Sequence, residues 1–410
     1  MVRMAPRLMG VEEGFVLLDP ATGAPANGSA DSVRQALSGN LAIKQDFCDS
    51  QLEIVTPPCV HSDDAERILT DLRAEVAAVA ESRGLVLAPT GTPPVLPTQQ
   101  AVSPVTQDEH YYQVAGTVRQ LGRAHHVNGL HVHIEIARPN EGVRIMNGLA
   151  RWAPLLLAMT SNSPYWDGAD TGFHSWRHLV GCAWPMQGYP EQVRSGHEYE
   201  ERLSGLVRAG VLGDKNSVSW LVRLSQHYPT VEVRLADVQL TPGASVGFAA
   251  IVRALATTIL RDRRSARPSA LRSNQVDAAL WFAARDGLSG SLTDPKRGEP
   301  VLAATWLEEL LDTVAPALAA QGDLDRGAGY IETMLRRGSD AHMQRRAHAS
   351  GGLAGIIDLY RSIHSPEQAA AQAKALRQAQ APMQRREQQA PPAVAEAREP
   401  LIDLEATVVP

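Results

Sequence analysis

The chain has little cysteine, and its cysteines are not arranged in a way that suggests chemistry. The three residues, Cys48, Cys59 and Cys182, form neither a C-x-x-C pair nor the spacing of a disulfide framework. An odd number of scattered thiols is typical of a protein kept in a reducing compartment. The sequence therefore predicts a cytoplasmic location and no cysteine nucleophile.

Several other features of common protein classes are also missing. No uninterrupted apolar run approaches the roughly 20 residues that span a bilayer, and Glu12 and Glu13 interrupt the N-terminus before a secretory signal could form. A formal charge of -6 provides no basic face for a polyanion. The phosphate-loop motif G-x-x-x-x-G-K-[ST] does not occur. We expect a small-molecule substrate, with neither nucleic acid nor a membrane as partner.

What is present indicates a globular protein with a large core. Hydrophobic residues make up 44% and charged residues 20% of the 410 positions. We expect one catalytic domain over residues 1–364. Residues 365–410 are rich in Ala, Gln and Pro with few apolar anchors, which predicts a disordered tail.

Hydrophobic periodicity predicts a mixture of strands and helices. Strands are predicted at 10–18, 51–56, 85–88, 129–136 and 230–237, and helices at 62–82 and 111–124. After Pro242 the pattern is helical almost to Ile363, with breaks near Pro268, 287–298 and 327–329. This order of elements predicts an α+β protein with a helical C-terminal part.

Acidic and imidazole side chains stand in the middle of these predicted strands. Successive residues of a strand face opposite ways, so His131, His133 and Glu135 share one face, as do Glu232 and Arg234. Carboxylates that converge on one face need cations to balance them, and Mg²⁺ or Mn²⁺ suits such ligands. The alternative is a set of amphipathic strands with one face in water.

The same segments resemble the carboxylate–amine ligases of the glutamate–cysteine ligase type 2 group. The resemblance covers about residues 9–363 and is carried by six motifs in order along the chain. These are Gly10-Val11-Glu12-Glu13-Gly14-Phe15, Asp46 with Glu53 before Thr56-Pro57, Gly129 to His133, Asn162 to Trp166, Asp170 to Phe173 with Arg177 following, and Thr230-Val231-Glu232-Val233-Arg234 with Asp237.

The resemblance implies a fold similar to that of glutamine synthetase, in which a curved antiparallel sheet forms a funnel with helices outside. It implies ATP and two or three Mg²⁺ ions, or Mn²⁺, in the funnel. The implied metal ligands or their supports are Glu12, Asp46, Glu53, His131 and Glu232. Arg234 would contact the transferring phosphoryl group with Glu232 and Arg177 as further catalytic residues, and Arg223 and His133 would join Arg234 at the nucleotide. Arg223 could equally be a surface arginine.

One departure from the family pattern concerns the metal ligands. The third glutamate of the opening motif is Gly14 here, whereas Glu135 stands where the family usually has glycine. We therefore hypothesise that Glu135 supplies the missing carboxylate as a metal ligand. The alternative is two unrelated changes in a divergent homologue.

The predicted function is an ATP-dependent carbon–nitrogen ligase that forms an amide, γ-glutamyl or another aminoacyl amide, through an acyl phosphate. Its partners would be an amino acid and a small amine, in a specialised biosynthetic pathway, and a homodimer is compatible with the sequence. Two alternatives stay open because the metal ligands are altered. They are a metal-dependent amide hydrolase or lyase, and a non-catalytic binding protein.

Overall fold

The computed structural model describes residues 6–96, 105–262 and 272–364. The described residues all belong to one compact unit. The predicted tail from residue 365 and the predicted break at Pro268 lie outside the described residues. The domain boundaries therefore stay a prediction.

A seven-stranded sheet, antiparallel at every pairing, is the centre of the fold. Its strands are β1 (Met9–Leu18), β2 (Ile43–Gln45), β3 (Gln51–Val55), β4 (Val86–Ala88), β5 (Gly129–Glu135), β8 (Val222–Leu224) and β9 (Thr230–Asp237). The strand order is β2-β3-β1-β5-β9-β8, and β4 pairs with the C-terminal end of β1. Two hairpins lie apart from it, β6 (Tyr165–Trp166) with β7 (Ala169–Asp170), and β10 (Ser291–Asp294) with β11 (Glu299–Leu302).

Helices follow and flank these strands. They are α1 (Ser29–Ala36), α2 (Ser62–Glu81), α3 (Glu109–Val118), α4 (Pro139–Leu149), α5 (Ala153–Met159), α6 (Trp176–Gly181), α7 (Gly196–Arg208), α8 (Pro242–Arg261), α9 (Ser273–Asp286), α10 (Ala303–Gln321), α11 (Leu324–Arg337) and α12 (Asp340–Ser362). The result is the predicted α+β architecture, with a curved antiparallel sheet and a helical C-terminal part.

The two faces of the sheet have different surroundings. On the back face the apolar residues of alternate positions, such as Leu52, Val132 and Val233, are fully buried against a core to which α2 and α8 contribute. Helix α8 is long and apolar enough to cross a membrane by length and composition, but 72% of its apolar window is buried inside the protein. The front face carries the polar residues and opens into a cavity.

Two helix predictions differ from the structure. The predicted break at 327–329 is wrong, because these residues lie inside α11. A Cβ on Gly327 would come within 2.5 Å of Leu318, so this glycine allows α11 to pack closely on its neighbour rather than ending the helix. The α-helical part of the predicted helix 111–124 ends at Val118. The next residue, Arg119, has a φ of 51°, and the chain continues from there as a 3-10 helix.

Candidate active site

Neighbouring strands bring the central polar residues into register. Glu12 of β1 stands opposite His131 of β5, and His133 stands opposite Glu232 of β9. Potential metal-ligating atoms of Glu12, His131 and Glu232 all lie within 4.8 Å of one another. Three segments that are far apart in the chain therefore supply one compact group of ligands.

A β-bulge shapes the centre of this group. The pairing shifts between Leu130 and Val132, so that Arg234 and Leu235 of β9 together stand opposite the single residue His131. As a result, Nη1 of Arg234 lies 3.4 Å from Nδ1 of His131 on the cavity face. The period-two pattern of the sequence contains no signal for this irregularity.

Glu232 is held as a carboxylate by two arginines. It is 2% exposed, and Nε of Arg223 donates to its Oε2 at 2.7 Å, while Nη1 of Arg234 donates to its Oε1. Burial alone would raise the pKa of Glu232, but the positive charges of Arg234 and Arg223 outweigh burial and hold the pKa well below its usual range. The same contacts fix both arginines at the cavity wall.

Glu12 is surrounded by imidazoles. Its Oε2 lies 3.4 Å from Nδ1 of His131, and its Oε1 lies 3.4 Å from Nε2 of His133. Burial opposes ionisation of Glu12, yet hydrogen bonds from the two histidines lower its pKa overall. Burial, with the charge of Arg234, lowers the pKa of His131 to about 4. His131 is therefore a neutral imidazole near pH 7, which is the form that binds metal ions.

Asp46 and Glu53 add two acids to the same cavity. Burial raises the pKa of each, and the negative charges of Glu12 and Asp46 raise that of Glu53 further. Lys44 and Arg234 compensate only in part. Four acidic side chains and a neutral imidazole line one space and form a donor set that fits divalent cations of the Mg²⁺ or Mn²⁺ type.

The cavity has a volume of about 670 Å³. It is lined by nine of the ten residues that the sequence analysis assigned to the site: Glu12, Asp46, Glu53, His131, His133, Arg177, Arg223, Glu232 and Arg234. The structure thus gathers almost the whole predicted set on one face of the sheet, although their roles stay predictions.

Glu135 is the residue that the structure does not bring into this group. Its Oε2 accepts a hydrogen bond from the backbone N–H of Leu8 at 3.1 Å, and its backbone oxygen accepts one from Arg7. Glu135 is absent from the cavity lining. This placement gives no support to the hypothesis that Glu135 replaces the carboxylate missing at Gly14.

Gly14 lines the cavity, as does Gly129 on the neighbouring strand. It pairs with Glu53 on β3, and a Cβ at this position would lie 3.3 Å from the backbone nitrogen of Gly129 and 3.4 Å from Asn128. A larger side chain here would need a small shift of β5. Gly14 and Gly129 leave this part of the cavity floor without side chains.

The sequence analysis did not predict an aromatic wall in the cavity. Phe47 contacts Tyr111, His125 and Trp184 edge-to-face with ring centroids 5.7–6.1 Å apart, and His125 stacks on Trp184 at 3.9 Å. Burial, with the nearby charge of Arg177, lowers the pKa of His125 to about 3. The wall is therefore uncharged at neutral pH. Its four members are far apart in the chain, so no local sequence motif marks the wall.

The chain is similar to known proteins both in sequence and in fold. The sequence profile of glutamate–cysteine ligase family 2 matches residues 8–362. A candidate glutamate–cysteine ligase 2-2 from Mycobacterium sp. (strain KMS) is 36% identical over 353 residues, covering 85% of this chain and 96% of the relative. A candidate glutamate–cysteine ligase 2 from Salinispora tropica is 38% identical over 344 residues, covering 82% of this chain and 89% of the relative.

Solved structures show the same fold at low sequence identity. The glutamate–cysteine ligase of Francisella tularensis, solved in complex with AMP, superimposes with a TM-score of 0.68 at 15% identity and covers 93% of this chain and 94% of its own. A bifunctional glutathione synthetase from Pasteurella multocida has a TM-score of 0.64 at 16% identity, with 88% of this chain and 51% of its own covered.

Proposed function

Because the chain belongs to glutamate–cysteine ligase family 2, we propose that it is an ATP-dependent ligase that joins a carboxylate to an amine. The observation that supports this most directly is the gathering of Glu12, His131 and Glu232 beside Arg234 on one sheet face. Such a site brings acids and arginines together where a triphosphate and a carboxylate would have to meet.

In the proposed reaction, a carboxylate oxygen of the acid attacks the γ-phosphorus of ATP, and ADP leaves with the bridging oxygen. The amine nitrogen then attacks the acyl carbon, inorganic phosphate leaves, and the nitrogen loses its proton. The first step brings two anions together, so positive charge is needed around the transferring group.

Divalent cations fit the acidic part of the cavity. Glu12, His131 and Glu232 would hold one ion, with Asp46 and Glu53 beside a second, and bound cations supply charge neutralisation for the phosphates. Arg234 and Arg223 are oriented by Glu232 and face the same space. We assign Arg234 to the transferring phosphoryl group, and Arg223 and His133 to the nucleotide.

Arg177 is assigned to an anionic group of a substrate, and the aromatic wall of Phe47, Tyr111, His125 and Trp184 to shielding the site. A wall that excludes water is needed because an acyl phosphate hydrolyses if water reaches it. The acid is proposed to be glutamate or another amino acid and the amine a small one, of which cysteine is one candidate. A cytoplasmic location and a specialised biosynthetic role complete the proposal.

The test is a substrate screen with the purified protein, ATP and MgCl₂. Pairs of amino acids and amines are assayed for ADP formation, and products are identified by mass spectrometry. Acid labelled with ¹⁸O in its carboxylate should transfer one ¹⁸O to the released phosphate if an acyl phosphate forms. Amide formation without that label would contradict the acyl-phosphate step. Absence of ADP with every pair would contradict the proposed function.

A further inference from the structure

Asp237, the last residue of β9, is a fully buried carboxylate that is enclosed by hydrogen-bond donors. Its Oδ2 accepts from the backbone N–H of Asn162 at 2.8 Å and from the hydroxyl of Ser163 at 2.6 Å. Its Oδ1 accepts from the hydroxyl of Ser175 at 2.9 Å. A buried charge is tolerated only with such partners, so these donors must be kept in place around Asp237.

Both serines are hydrogen-bonded to the backbone of α6 at or next to Arg177. The hydroxyl of Ser163 accepts from the backbone N–H of Arg177 at 3.0 Å, so its own proton is free to go to Asp237. Ser175 is the N-cap of α6, where its hydroxyl accepts from the N–H of His178. Asp237 thereby fixes the backbone of α6 at the point from which the Arg177 side chain leaves.

The guanidinium of Arg177 is also held at its far end. Nη1 lies 3.8 Å from Oδ1 of Asp237 and donates to the carbonyl of Leu235, while Nη2 donates to the carbonyl of Arg234 at 3.2 Å. These two carbonyls belong to the bulge opposite His131. A Cβ on Gly129 would come within 2.5 Å of Nη2, so glycine at this position leaves room for the arginine.

The third nitrogen of the Arg177 guanidinium is not held in this way. Among the residues that the structure describes, its buried Nε makes no hydrogen bond, and the side chain is 11% exposed and lines the cavity. Arginine recognises carboxylates and phosphates through just such in-plane N–H groups. The shared chemistry of a ligand at this point is therefore an anionic oxygen, from the acid substrate or from a phosphate.

We propose that Asp237 is a positioning residue that acts through Ser163 and Ser175 to aim Arg177 at an anionic oxygen in the cavity. The inference rests on the proposed function for the identity of that anion. It goes beyond the proposed function because it gives a role to Asp237, Ser163 and Ser175, three buried residues that do not line the cavity.

The chain offers a closely matched pair of variants for the test. Ser163→Ala removes the hydroxyl that joins Asp237 to Arg177, whereas Ser161→Ala removes the hydroxyl of an equally buried serine that donates to Leu157 instead. We expect Ser163→Ala to raise the KM of one anionic substrate at least tenfold with a smaller change in kcat. Ser161→Ala should change neither by more than twofold. Equal effects of the two variants would overturn the proposal.

A double-variant cycle separates positioning from a purely structural role. If Ser163 and Asp237 act through Arg177, the tenfold effect of Ser163→Ala on kcat/KM should shrink to less than twofold in an Arg177→Lys background. Asp237→Asn should behave in the same way. Effects that multiply in full would show that these residues act independently of Arg177, contrary to the proposal.

A binding measurement tests the proposal without relying on turnover. Isothermal titration calorimetry with L-glutamate, inorganic phosphate and ADP, each titrated separately, requires no ligase activity. We expect Ser163→Ala, but not Ser161→Ala, to weaken binding of L-glutamate if the anion is a carboxylate, or of phosphate and ADP if it is a phosphoryl group. If the wild type binds one of these probes more tightly than Ser163→Ala does but forms no ADP, only the proposed function is contradicted. Equal binding of all probes by wild type and Ser163→Ala would overturn the positioning role.

Discussion

Two adjacent glutamates on β1 face opposite sides of the sheet and have opposite surroundings. Glu13 points into the back face, is fully buried, and accepts from Nε of Arg73 at 2.8 Å and from its Nη2 at 2.5 Å. Arg73 also donates to the carbonyls of Leu240 and Gln239. Every charge in this pair has a fixed partner within the protein.

Glu12 points into the cavity, where the groups near its carboxylate include two imidazoles and two other acids. Burial raises the pKa of each of these acids, Asp46 and Glu53, and the negative charge of Glu12 raises both further. Natural cores pair buried charges because unpaired ones destabilise the fold. The difference indicates that the back-face pair stabilises the fold, whereas the cavity acids are available for the cations and substrates of the proposed function.

The largest expected effect is on turnover at Glu12. Glu12→Gln removes one negative charge from the proposed cation site, and we expect kcat to fall at least about 100-fold. The free energy of unfolding should change by less than about 1 kcal/mol, because the weaker contacts with His131 and His133 are offset by the relief of repulsion with Glu53. Steady-state ADP formation and urea denaturation measure the two quantities. Full turnover in the variant would contradict the assignment of Glu12 to the cation site, and with it the difference in role between Glu12 and Glu13.

The back-face pair should show the opposite behaviour. Arg73→Met leaves the carboxylate of Glu13 buried without its partner, and the free energy of unfolding should fall by about 3–5 kcal/mol. Adding Glu13→Gln removes the orphaned charge and should recover part of the loss. Turnover per folded molecule should stay within a few-fold in both variants. Urea denaturation measures stability, and a stable Arg73→Met protein would contradict this account.

A smaller effect is expected from pH at the same back face. The His364 ring packs edge-on against Phe15, and its Nε2 lies 2.9 Å from the carbonyl of Leu87. Burial, with the nearby charge of Arg73, lowers the pKa of His364 to about 3. Because the folded-state pKa is depressed below the ordinary 6.5, this contribution to stability is present above pH 6.5 and is lost as the pH falls.

The measurement compares the unfolding free energy of wild type and His364→Gln at pH 7.5 and pH 5. We expect the wild type to lose roughly 1–2 kcal/mol more than the variant over this interval, because protonation of His364 is opposed only in the folded state. Other groups titrate in both proteins and cancel in the difference. A parallel loss in the two would show that His364 does not titrate as a buried group.

Sequence patterns predicted the parts of the fold that depend on local periodicity. The strand predicted at 230–237 has those bounds in the structure, and its alternation places Glu232 and Arg234 towards the cavity. The bulge at Arg234 and Leu235 was beyond prediction, because it arises from pairing with β5 rather than from the residues of β9. The Glu13–Arg73 ion pair was missed for the same reason, since its partners are 60 residues apart.

Glu135 shows the limit of arguments from strand faces. It shares the alternation of His131 and His133, which was the reason to predict a metal ligand. Alternation determines which face of the sheet a residue lies on. It does not determine how far along the strand the cavity extends. At the end of β5, the side chain of Glu135 accepts a hydrogen bond from the backbone N–H of Leu8, and this long-range contact has no local sequence signal.

The smallest expected effect therefore distinguishes the two interpretations of Glu135. A glutamine here still has an oxygen that can accept from Leu8, so Glu135→Gln should change kcat and the Mg²⁺ dependence of ADP formation by less than about twofold. A metal ligand would instead show a large loss, comparable with that of Glu12→Gln, and Gly14→Glu should then restore activity. A large loss would mean that the cation site extends to the end of β5, since the hydrogen bond from Leu8 alone cannot account for it.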